Sequence, residues 1–567
     1  KTLDELLIDE ESVTLVDPGP LLFIITLVII VLLVGCVLPL ALSFHRKWKF
    51  QQDTEYDVIS TSEKEEKLPT DQSLEKQIRQ EEIDISIWTI IRLDEENSKI
   101  LSFTIPFTIA SLSEVLFESF LMAIIGYYVG TNQVTAYAEY SLLFGIMNEF
   151  LLGSLNAIPT VCANAIGAKN YTLAGQYLQL SIILYLLGGI PFLWFCYFFT
   201  KDTILWLEWG DDVVANYAQS YARINIWTSF VQAISTGFQL LLDTDDHANF
   251  TSLLAFSCRF LCVGVIYWIA TSQELTLELA AYISLLFSSL ELLLLVLVGH
   301  FKKWLNPFTE GLFNNFSLTN NRAVRNMMKV SVPLSLESIF MSAEWVILGV
   351  FAASIGTKEV GAWAIISHIW SILESFVYGI GDAAEIQVAL HLGEGDSKRA
   401  QLTAYKSLFI GLLESFIVFV VFVILLPYVP SFFTTDTILQ DLMEPALPYL
   451  ALGYINLTFG DISWYIVGAT NRYSLGTWIH IIVSWAIIVP LAALSAYKYK
   501  FGLQGLCAPI VLGYTIVGCC MSFILLTTDW KERAAMAYSE NAEEDDEEDS
   551  EDDEEESDNK SYKSISS

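Results

Sequence analysis

The sequence predicts an all-α polytopic membrane protein with two pseudo-symmetric six-helix bundles, preceded by one extra transmembrane helix. The composition gives the first indication, because 53% hydrophobic residues and a mean hydropathy of +0.48 over 567 residues are too apolar for a soluble protein of this size. Apolar runs long enough to cross the ~30 Å hydrocarbon layer of a bilayer recur along the chain. Residues 118–174 also match residues 344–400, which indicates an internal duplication.

The first apolar run, at residues 21–44, stands apart from the others. It follows an acidic segment, residues 1–20, and precedes the basic sequence HRKWK, which is the reverse of the charge order of a signal peptide. We therefore predict a retained extra helix whose N-terminus is not cytoplasmic. Twelve further spans are predicted at residues 101–130, 135–160, 175–200, 213–241, 250–271, 278–299, 327–355, 362–391, 404–428, 442–467, 475–497 and 503–527.

The charged segments divide the chain into domains. We predict a cytoplasmic linker at 45–99, an N-terminal lobe at 100–300, a connector at 301–326, a C-terminal lobe at 327–528 and an acidic tail at 529–567. With the linker in the cytoplasm, most loop Lys and Arg residues lie on the same side, as the positive-inside rule requires. The C-terminus is then cytoplasmic, and the membrane is either the plasma membrane or a vacuolar or other endomembrane.

Much of the formal net charge of −35 lies in the tail, where fifteen acidic residues fall between Glu540 and Asp558. Such a run predicts a disordered, solvated polyanion, and a phosphorylated regulatory docking tail is the alternative. The eight cysteines lie in or beside predicted spans, without the spacing of a disulfide framework. No nucleic-acid partner is expected.

The internal repeat relates the two lobes. A shift of 226 positions gives fourteen identities in 57 positions, and it aligns Glu118 with Glu344, Gly153 with Gly379 and Gly167 with Gly393. Each half holds six spans, which is an even number, so both halves enter the membrane from the same face. The halves are therefore expected to be related by an axis along the membrane normal.

Glu344 lies in the middle of the seventh of these twelve spans. A carboxylate at that depth costs ~2.5–3.5 kcal/mol on insertion scales, so we expect it to face protein or water. A poorly hydrated cleft favours the neutral form, which enables the side chain to take up and release a proton. The alternative is a carboxylate that is permanently hydrogen-bonded and fixes helix packing.

The next span carries a stripe of polar residues at spacings of three and four, which places them on one helix face. The stripe includes Glu374, Tyr378, Asp382 and Glu385. Carboxylates this close cannot all be ionised cheaply, so we expect a shared proton or cation. Alternatively, part of the stripe is solvated at the cytoplasmic end. Tyr378 and His391 are candidate cavity-lining residues, the latter as a proton relay.

Three further membrane acids are candidates. Asp461 lies in the tenth span, and Glu114 and Glu118 lie one helical turn apart in the first. Because Glu118 is the repeat counterpart of Glu344, this pair is a candidate second protonation site in the N-terminal lobe. The alternative is a purely structural pair.

The segment GSLNAIPTVCANAIGAKN of the first half contains an Ala-x-x-Thr-x-Cys-x-x-Ala-x-Gly-Ala pattern, and AAEIQVALHLGEG of the second half is similar to Val-x-x-x-Leu-Gly-x-Gly. These motifs resemble those of eukaryotic MATE (multidrug and toxic compound extrusion) transporters. Pro333, Glu344 and Trp345 resemble the family's seventh helix. The resemblance covers about residues 100 to 530. The matching positions of the first pattern are Ala157, Thr160, Cys162, Ala165, Gly167 and Ala168.

The resemblance implies a secondary antiporter that works as a monomer in the lipid bilayer. Its twelve helices would form two lobes around a central cleft and export small organic, often cationic, molecules in exchange for protons or sodium ions. In the family, an acid near Asp461 is often paired with the seventh-helix glutamate. Glu385 and Asp382 depart from the family pattern, which usually has a small residue at the first position.

Other function classes receive less support. The sequence has no Walker loop, no His/Cys cluster with zinc spacing and no Gly-x-Ser-x-Gly elbow, so we expect neither an enzyme nor a bound metal or organic cofactor. A lipid or lipid-linked sugar flippase with a similar two-lobed fold is the main alternative, although its cavity would be basic. An intramembrane enzyme or a non-transporting receptor is less well supported.

Overall fold

A computed structural model describes residues 87–92, 94–207, 209–314, 316–434 and 436–542. The predicted N-terminal segment, the extra helix at 21–44 and the acidic run after residue 542 lie outside the described residues, as does most of the predicted linker.

The first half of the described chain contains seven labelled helices, because one predicted span is broken into two. They are α1 (Glu95–Val129), α2 (Thr131–Leu152), α3 (Ile158–Gly167), α4 (Tyr171–Trp206), α5 (Asp212–Leu242), α6 (Ala248–Ser272) and α7 (Leu277–Phe301).

The second half contains six long helices and a shorter terminal one. They are α8 (Asn321–Ile355), α9 (Thr357–Gly393), α10 (Ser397–Leu425), α11 (Leu447–Ala469), α12 (Tyr473–Tyr499), α13 (Gln504–Leu526) and α14 (Trp530–Asn541). Helix α12 includes the π-helical turns Ser484–Ile488 and Leu494–Tyr499.

Much of this helical framework is suited to a bilayer. In the described part of the chain, nine helical stretches are long and apolar enough to cross a membrane, and one of them, Asp212–Ser272, contains both α5 and α6. The break between these two helices is at Asp245 and Asp246, whose backbone angles are not helical. Large apolar side chains cover the outer surface, where Trp194 is 69% and Leu286 64% exposed. These surfaces are suited to contact with lipid, and the predicted all-α polytopic fold is confirmed.

Glycine contacts between the halves show their two-fold relation. A Cβ on Gly167 would stand 2.9 Å from the amide nitrogen of Glu394, and a Cβ on Gly393 would stand 2.8 Å from the carbonyl carbon of Asn164. Gly167 also packs on the carbonyl of Leu390, which is the repeat counterpart of Asn164. The contact is therefore reciprocal, and the pseudo-two-fold axis passes between α3 and the end of α9. Both positions require glycine because no side chain fits between the backbones.

The predicted single span at 135–160 is wrong, because α2 and α3 are separate helices joined by turns at residues 153–157. The equivalent helix of the second half, α9, runs unbroken. The difference has a chemical cause, because Pro159 stands where the second half has Glu385. Proline has no N–H to donate to the carbonyl of Leu155, which accepts instead from the backbone nitrogen of Ile158 at 2.9 Å.

The chain after residue 529 is also ordered further than predicted. Disorder was expected throughout 529–567, but Trp530–Asn541 forms α14. The side chain of Asp529 accepts hydrogen bonds from the first turn, and Trp530 is only 5% exposed, with its ring 6.4 Å from that of Tyr405. A side-chain cap and one buried tryptophan therefore anchor this short helix against the bundle.

Candidate functional site

Glu344 lies on α8 and is completely buried against α12. Ser484, the first residue of a π-helical turn, donates a hydrogen bond to Oε2 of this carboxyl group. The other oxygen, Oε1, is buried and has no hydrogen-bond partner among the described residues. Glu344 therefore faces protein rather than lipid, and half of its hydrogen-bonding capacity is unused.

A second carboxyl group lies two helical turns away on the same helix. Nδ1 of His480 lies 2.8 Å from Oε1 of Glu337, and both side chains are buried. Within the described chain, neither Oε2 of Glu337 nor Nε2 of His480 has a hydrogen-bond partner. The ring of Trp464 stacks on the imidazole with 6.1 Å between centroids. The sequence analysis missed this pair, although the spacing of seven between Glu337 and Glu344 places both acids on one helix face.

Two further acids complete this group. Trp370 Nε1 donates to Oε1 of Glu374 at 2.6 Å, and Asp461 interacts electrostatically with both Glu374 and His480. Asp461 makes no hydrogen bond to Glu344 in the described part of the chain, but both acids interact electrostatically with His480. We call the group the C-lobe acid cluster, which consists of Glu337, Glu344, Glu374, Asp461 and His480.

Glu385 belongs to a different location, at the boundary between the two halves. It is 3% exposed and accepts hydrogen bonds from the Tyr473 hydroxyl at 2.5 Å and from the hydroxyl of Thr160. The two hydroxyl oxygens are 2.9 Å apart. Because Thr160 lies on α3 of the first half, the carboxyl group connects the two lobes. The alternative of a solvated stripe is therefore wrong for Glu385.

Asp382 also lies at this boundary. It interacts with Tyr465 of α11 and, electrostatically, with Asp243 at the end of α5. The sequence analysis missed Asp243, which is buried and accepts a hydrogen bond from Thr251. The predicted stripe on α9 is thus divided between the C-lobe acid cluster and the lobe boundary.

In the N-terminal lobe, the predicted pair of acids is accompanied by a cation. Arg259 Nη2 lies 3.3 Å from Oε2 of Glu114, and Nη1 donates to the carbonyl of Ala110 and the hydroxyl of Ser113 at 3.0 Å each. Arg259 lies near the centre of α6. Glu118 interacts electrostatically with Glu114 and Arg259. A second protonation site here remains a prediction.

The two predicted cavity-lining residues differ in position. Tyr378 is 38% exposed and interacts with Glu374, so it faces the acidic region. His391 does not line that region, because its ring nitrogens contact Glu96 at 2.9 Å and Glu394 at 3.0 Å, at the ends of α1 and α9. The hydrogen bond from His391 lowers the pKa of Glu394. His391 therefore lies apart from the C-lobe acid cluster, with a carboxyl group beside each ring nitrogen, and its cavity role remains a prediction.

This arrangement can bind and release positive charge. The C-lobe acid cluster brings four carboxyl groups and one imidazole into one region, with three polar atoms unsatisfied among the described residues. Such groups accept protons or contact a cationic molecule at little structural cost. In the residues that the structure describes, no group of three or more His, Cys, Asp and Glu side chains is arranged to hold a metal ion.

Comparison with known proteins agrees with the duplicated architecture. The MatE family model matches residues 106–269 and 333–494, one match in each half and together more than half of the chain. Protein DETOXIFICATION 15 of Arabidopsis thaliana is 22% identical over 479 residues, which cover 82% of this chain and 96% of the relative. Multidrug and toxin extrusion protein 2 of Mus musculus is 22% identical over 402 residues, covering 68% of this chain and 66% of the relative.

Solved structures show the same fold. The eukaryotic MATE transporter AtDTX14 aligns with a TM-score of 0.70 at 19% identity, over 80% of this chain and 99% of that one. A MOP superfamily transporter from Pyrococcus furiosus, described as having a binding pocket of reverse polarity, aligns with a TM-score of 0.67 at 16% identity, over 80% and 99% of the two chains.

Proposed function

The chain belongs to the MatE family of membrane transporters, and on this basis we propose that it is a secondary antiporter that exports small organic cations in exchange for protons. The observation that carries the proposal is the C-lobe acid cluster, in which Glu344 is fully buried and has one oxygen without a partner among the described residues. A buried acid of this kind persists where it exchanges charge with a mobile ion.

The coupling follows from competition for the same negative charges. An organic cation binds the cleft that faces the cytoplasm while Glu344 and Asp461 are ionised. Protons that enter from the opposite face neutralise these carboxylates, which weakens their attraction for the cation. The protonated protein then favours the arrangement open to the opposite side, and the cation leaves.

The boundary acids take a different part in this cycle. Glu385 connects α3 with α9 and α12 through the hydroxyls of Thr160 and Tyr473. Such a connection holds the lobes together on one side of the membrane, and it must break when the lobes move apart. Asp382 lies beside it and interacts with Tyr465 and Asp243, so the same movement changes its surroundings. We assign both acids to the conformational step.

A flippase is the alternative function, and pocket polarity separates the two. A phosphate head group requires cationic side chains, whereas four of the five residues in the C-lobe acid cluster are carboxylic acids. The Pyrococcus furiosus transporter of similar fold is described as having a binding pocket of reverse polarity, which suggests a different function. Pocket polarity is therefore a useful criterion for choosing between antiporter and flippase.

Transport by purified protein in lipid vesicles tests the proposal. We expect an imposed pH gradient to drive flux of a fluorescent organic cation, and Glu344→Gln to abolish the pH-driven part. Glutamine still accepts the hydrogen bond from Ser484, so the amount of folded protein should be unchanged. Glu278→Gln, at the exposed start of α7, is the matched control and should transport normally.

Three outcomes would contradict the proposal. Flux driven by a sodium gradient and not by a pH gradient would exclude protons as the coupling ion. Undiminished pH-driven flux in Glu344→Gln would exclude this residue as the coupling site. Movement of fluorescent phospholipids between leaflets, without flux of organic cations, would favour the flippase.

A further inference from the structure

The Glu337–His480 pair carries an inference that rests on the proposed antiport. We propose that His480 is a further proton-binding residue of the exchange site and that Glu337 is its positioning residue. The imidazole nitrogen Nδ1 lies 2.8 Å from the carboxylate, whereas Nε2 is buried and has no hydrogen-bond partner among the described residues.

The pair is part of a regular contact between α8 and α12. The hydroxyl of Thr477 donates to the carbonyl of Pro333 at 3.3 Å, one turn before the pair. One turn beyond it, Ser484 donates to Glu344. His480 and Ser484 are four residues apart on α12, and Glu337 and Glu344 are seven apart on α8. Each spacing places both residues on one face of its helix, and these two faces are in contact. His480 is therefore held in the same row of contacts as the proposed coupling residue.

The charges around His480 are negative. From α8 it interacts electrostatically with Glu337 and Glu344, and from α11 with Asp461. Helix α13 contributes Tyr514, which interacts with Glu344 and Asp461, and Tyr473 lies at the start of α12 itself. His480 is the only basic member of the C-lobe acid cluster, so an imidazolium there balances one of the surrounding carboxylates.

Nε2 of His480 is the atom that allows the Glu337–His480 pair to exchange a proton for a cation. When Nδ1–H donates to Glu337, Nε2 of the neutral ring has an unused lone pair that can take a proton. An organic cation that enters the cluster adds a positive charge beside this ring, which opposes the protonated form. Binding of the cation therefore releases a proton from His480, and departure of the cation allows the proton to return. This is the reciprocal exchange that antiport requires.

His480→Asn tests this role with little change in packing. The Asn amide can donate to Glu337 from the place of Nδ1, but it cannot titrate. We expect the variant to transport with one proton fewer per substrate, read from the pH gradient at which net cation flux reverses in voltage-clamped vesicles. At a gradient of about one pH unit, the highest substrate concentration ratio across the membrane that the variant can sustain should be about tenfold lower than that of the wild-type protein. His300→Asn, at the exposed end of α7, should leave it unchanged.

Glu337→Gln tests the positioning role separately. Glutamine keeps an acceptor oxygen for Nδ1–H but removes the negative charge beside the imidazole. We expect the pH at which exchange is half-maximal to move to lower pH, with the maximal rate largely retained. A purely structural residue would lower the rate without moving the pH profile.

The outcomes separate this inference from the proposed function. If the wild-type protein shows no pH-driven flux, both are wrong. If the wild-type protein is coupled but His480→Asn exchanges the same number of protons per substrate, only the role of His480 is wrong. Should His480→Asn lose all transport, an unshifted pH profile in Glu337→Gln overturns the inference, and an acid shift supports it.

Discussion

At the scale of single residues, the most informative side chain outside the C-lobe acid cluster is Glu385. It is buried, and two hydroxyl groups from different halves of the protein donate to one of its oxygens. A buried carboxyl group of this kind is costly without such donors. Its surroundings therefore exist only while α3 and α9 are in contact, and the stability of this conformation depends on Thr160.

Thr160→Val should destabilise this conformation. Valine has the shape of threonine but cannot donate to Glu385, so one buried acceptor loses a partner, at a cost of about 1–3 kcal/mol. We expect a lower melting temperature in detergent than for the wild-type protein. Thr135→Val, which removes only an exposed hydrogen bond within α2, is the control and should lie within about 0.5 kcal/mol of the wild-type protein. Equal melting temperatures for both variants would show that the connection contributes nothing.

The acids of the site could be predicted from the sequence only in part. Glu344 and Asp461 stand out because a carboxylate within an apolar span is conspicuous. Glu337 lies in the more polar part of α8, and its partner His480 follows it by more than a hundred residues. Only the packing of α8 on α12 brings them together, and hydropathy contains no information on which helices become neighbours. The separation of Glu385 from the C-lobe acid cluster was hidden for the same reason.

At the scale of secondary-structure elements, α14 has the most unexpected position. Its last residue, Asn541, accepts hydrogen bonds from Asn170 at 3.2 Å and Tyr177 at 3.3 Å, both in the first half. The preceding residue, Glu540, contacts Lys329 at 3.0 Å and Asn471 at 3.1 Å, both in the second half. The helix thus spans the two lobes at one end of the molecule, beside a small cavity that Asn164 helps to line.

Removal of these terminal contacts should open that end of the molecule. The double variant Glu540→Ala, Asn541→Ala keeps most of α14 but loses the side-chain contacts of Glu540 with the second half and of Asn541 with Tyr177 in the first half. We expect a cysteine placed at Asn164 to react several-fold faster with a membrane-impermeant thiol reagent in this background. Glu532→Ala, in the first turn of α14, is the control and should leave the rate unchanged. An unchanged rate in the double variant would show that α14 does not hold the lobes together.

Helix α14 could not be recognised in the sequence because a strongly acidic run follows it directly. The helix WKERAAMAYSEN directly precedes the acidic run, and a high density of charge over the whole segment indicates disorder. The signals of order are local, namely an N-capping aspartate and one tryptophan, and they act only because a surface is available beside Tyr405. The break between α2 and α3 was concealed in a similar way, because hydropathy is nearly unaffected by a single proline.

At the scale of the whole molecule, the repeat could be recognised in the sequence, but the way in which its halves meet could not. The shift of 226 positions preserved Gly167 and Gly393 without indicating that they face each other. In the structure each glycine packs on the backbone beside the other, so the two positions form one contact about the pseudo-two-fold axis. The contact closes the end of the molecule that also carries α14, and the proposed transport cycle requires it to form and separate in each turnover.

Substitution of either glycine should therefore impair transport to a similar extent. A valine at Gly167 or Gly393 cannot be accommodated, because even its Cβ would stand less than 3.0 Å from the facing backbone. The lobes would be held apart at this end, and we expect cation efflux to fall at least about tenfold, with faster labelling of the cysteine at Asn164. Gly264→Val, which has open space around it on α6, is the control. If one of the two valine variants were fully active, the reciprocal contact would not be part of the transport cycle, and closure at this end would have to depend on Glu385 and α14 alone.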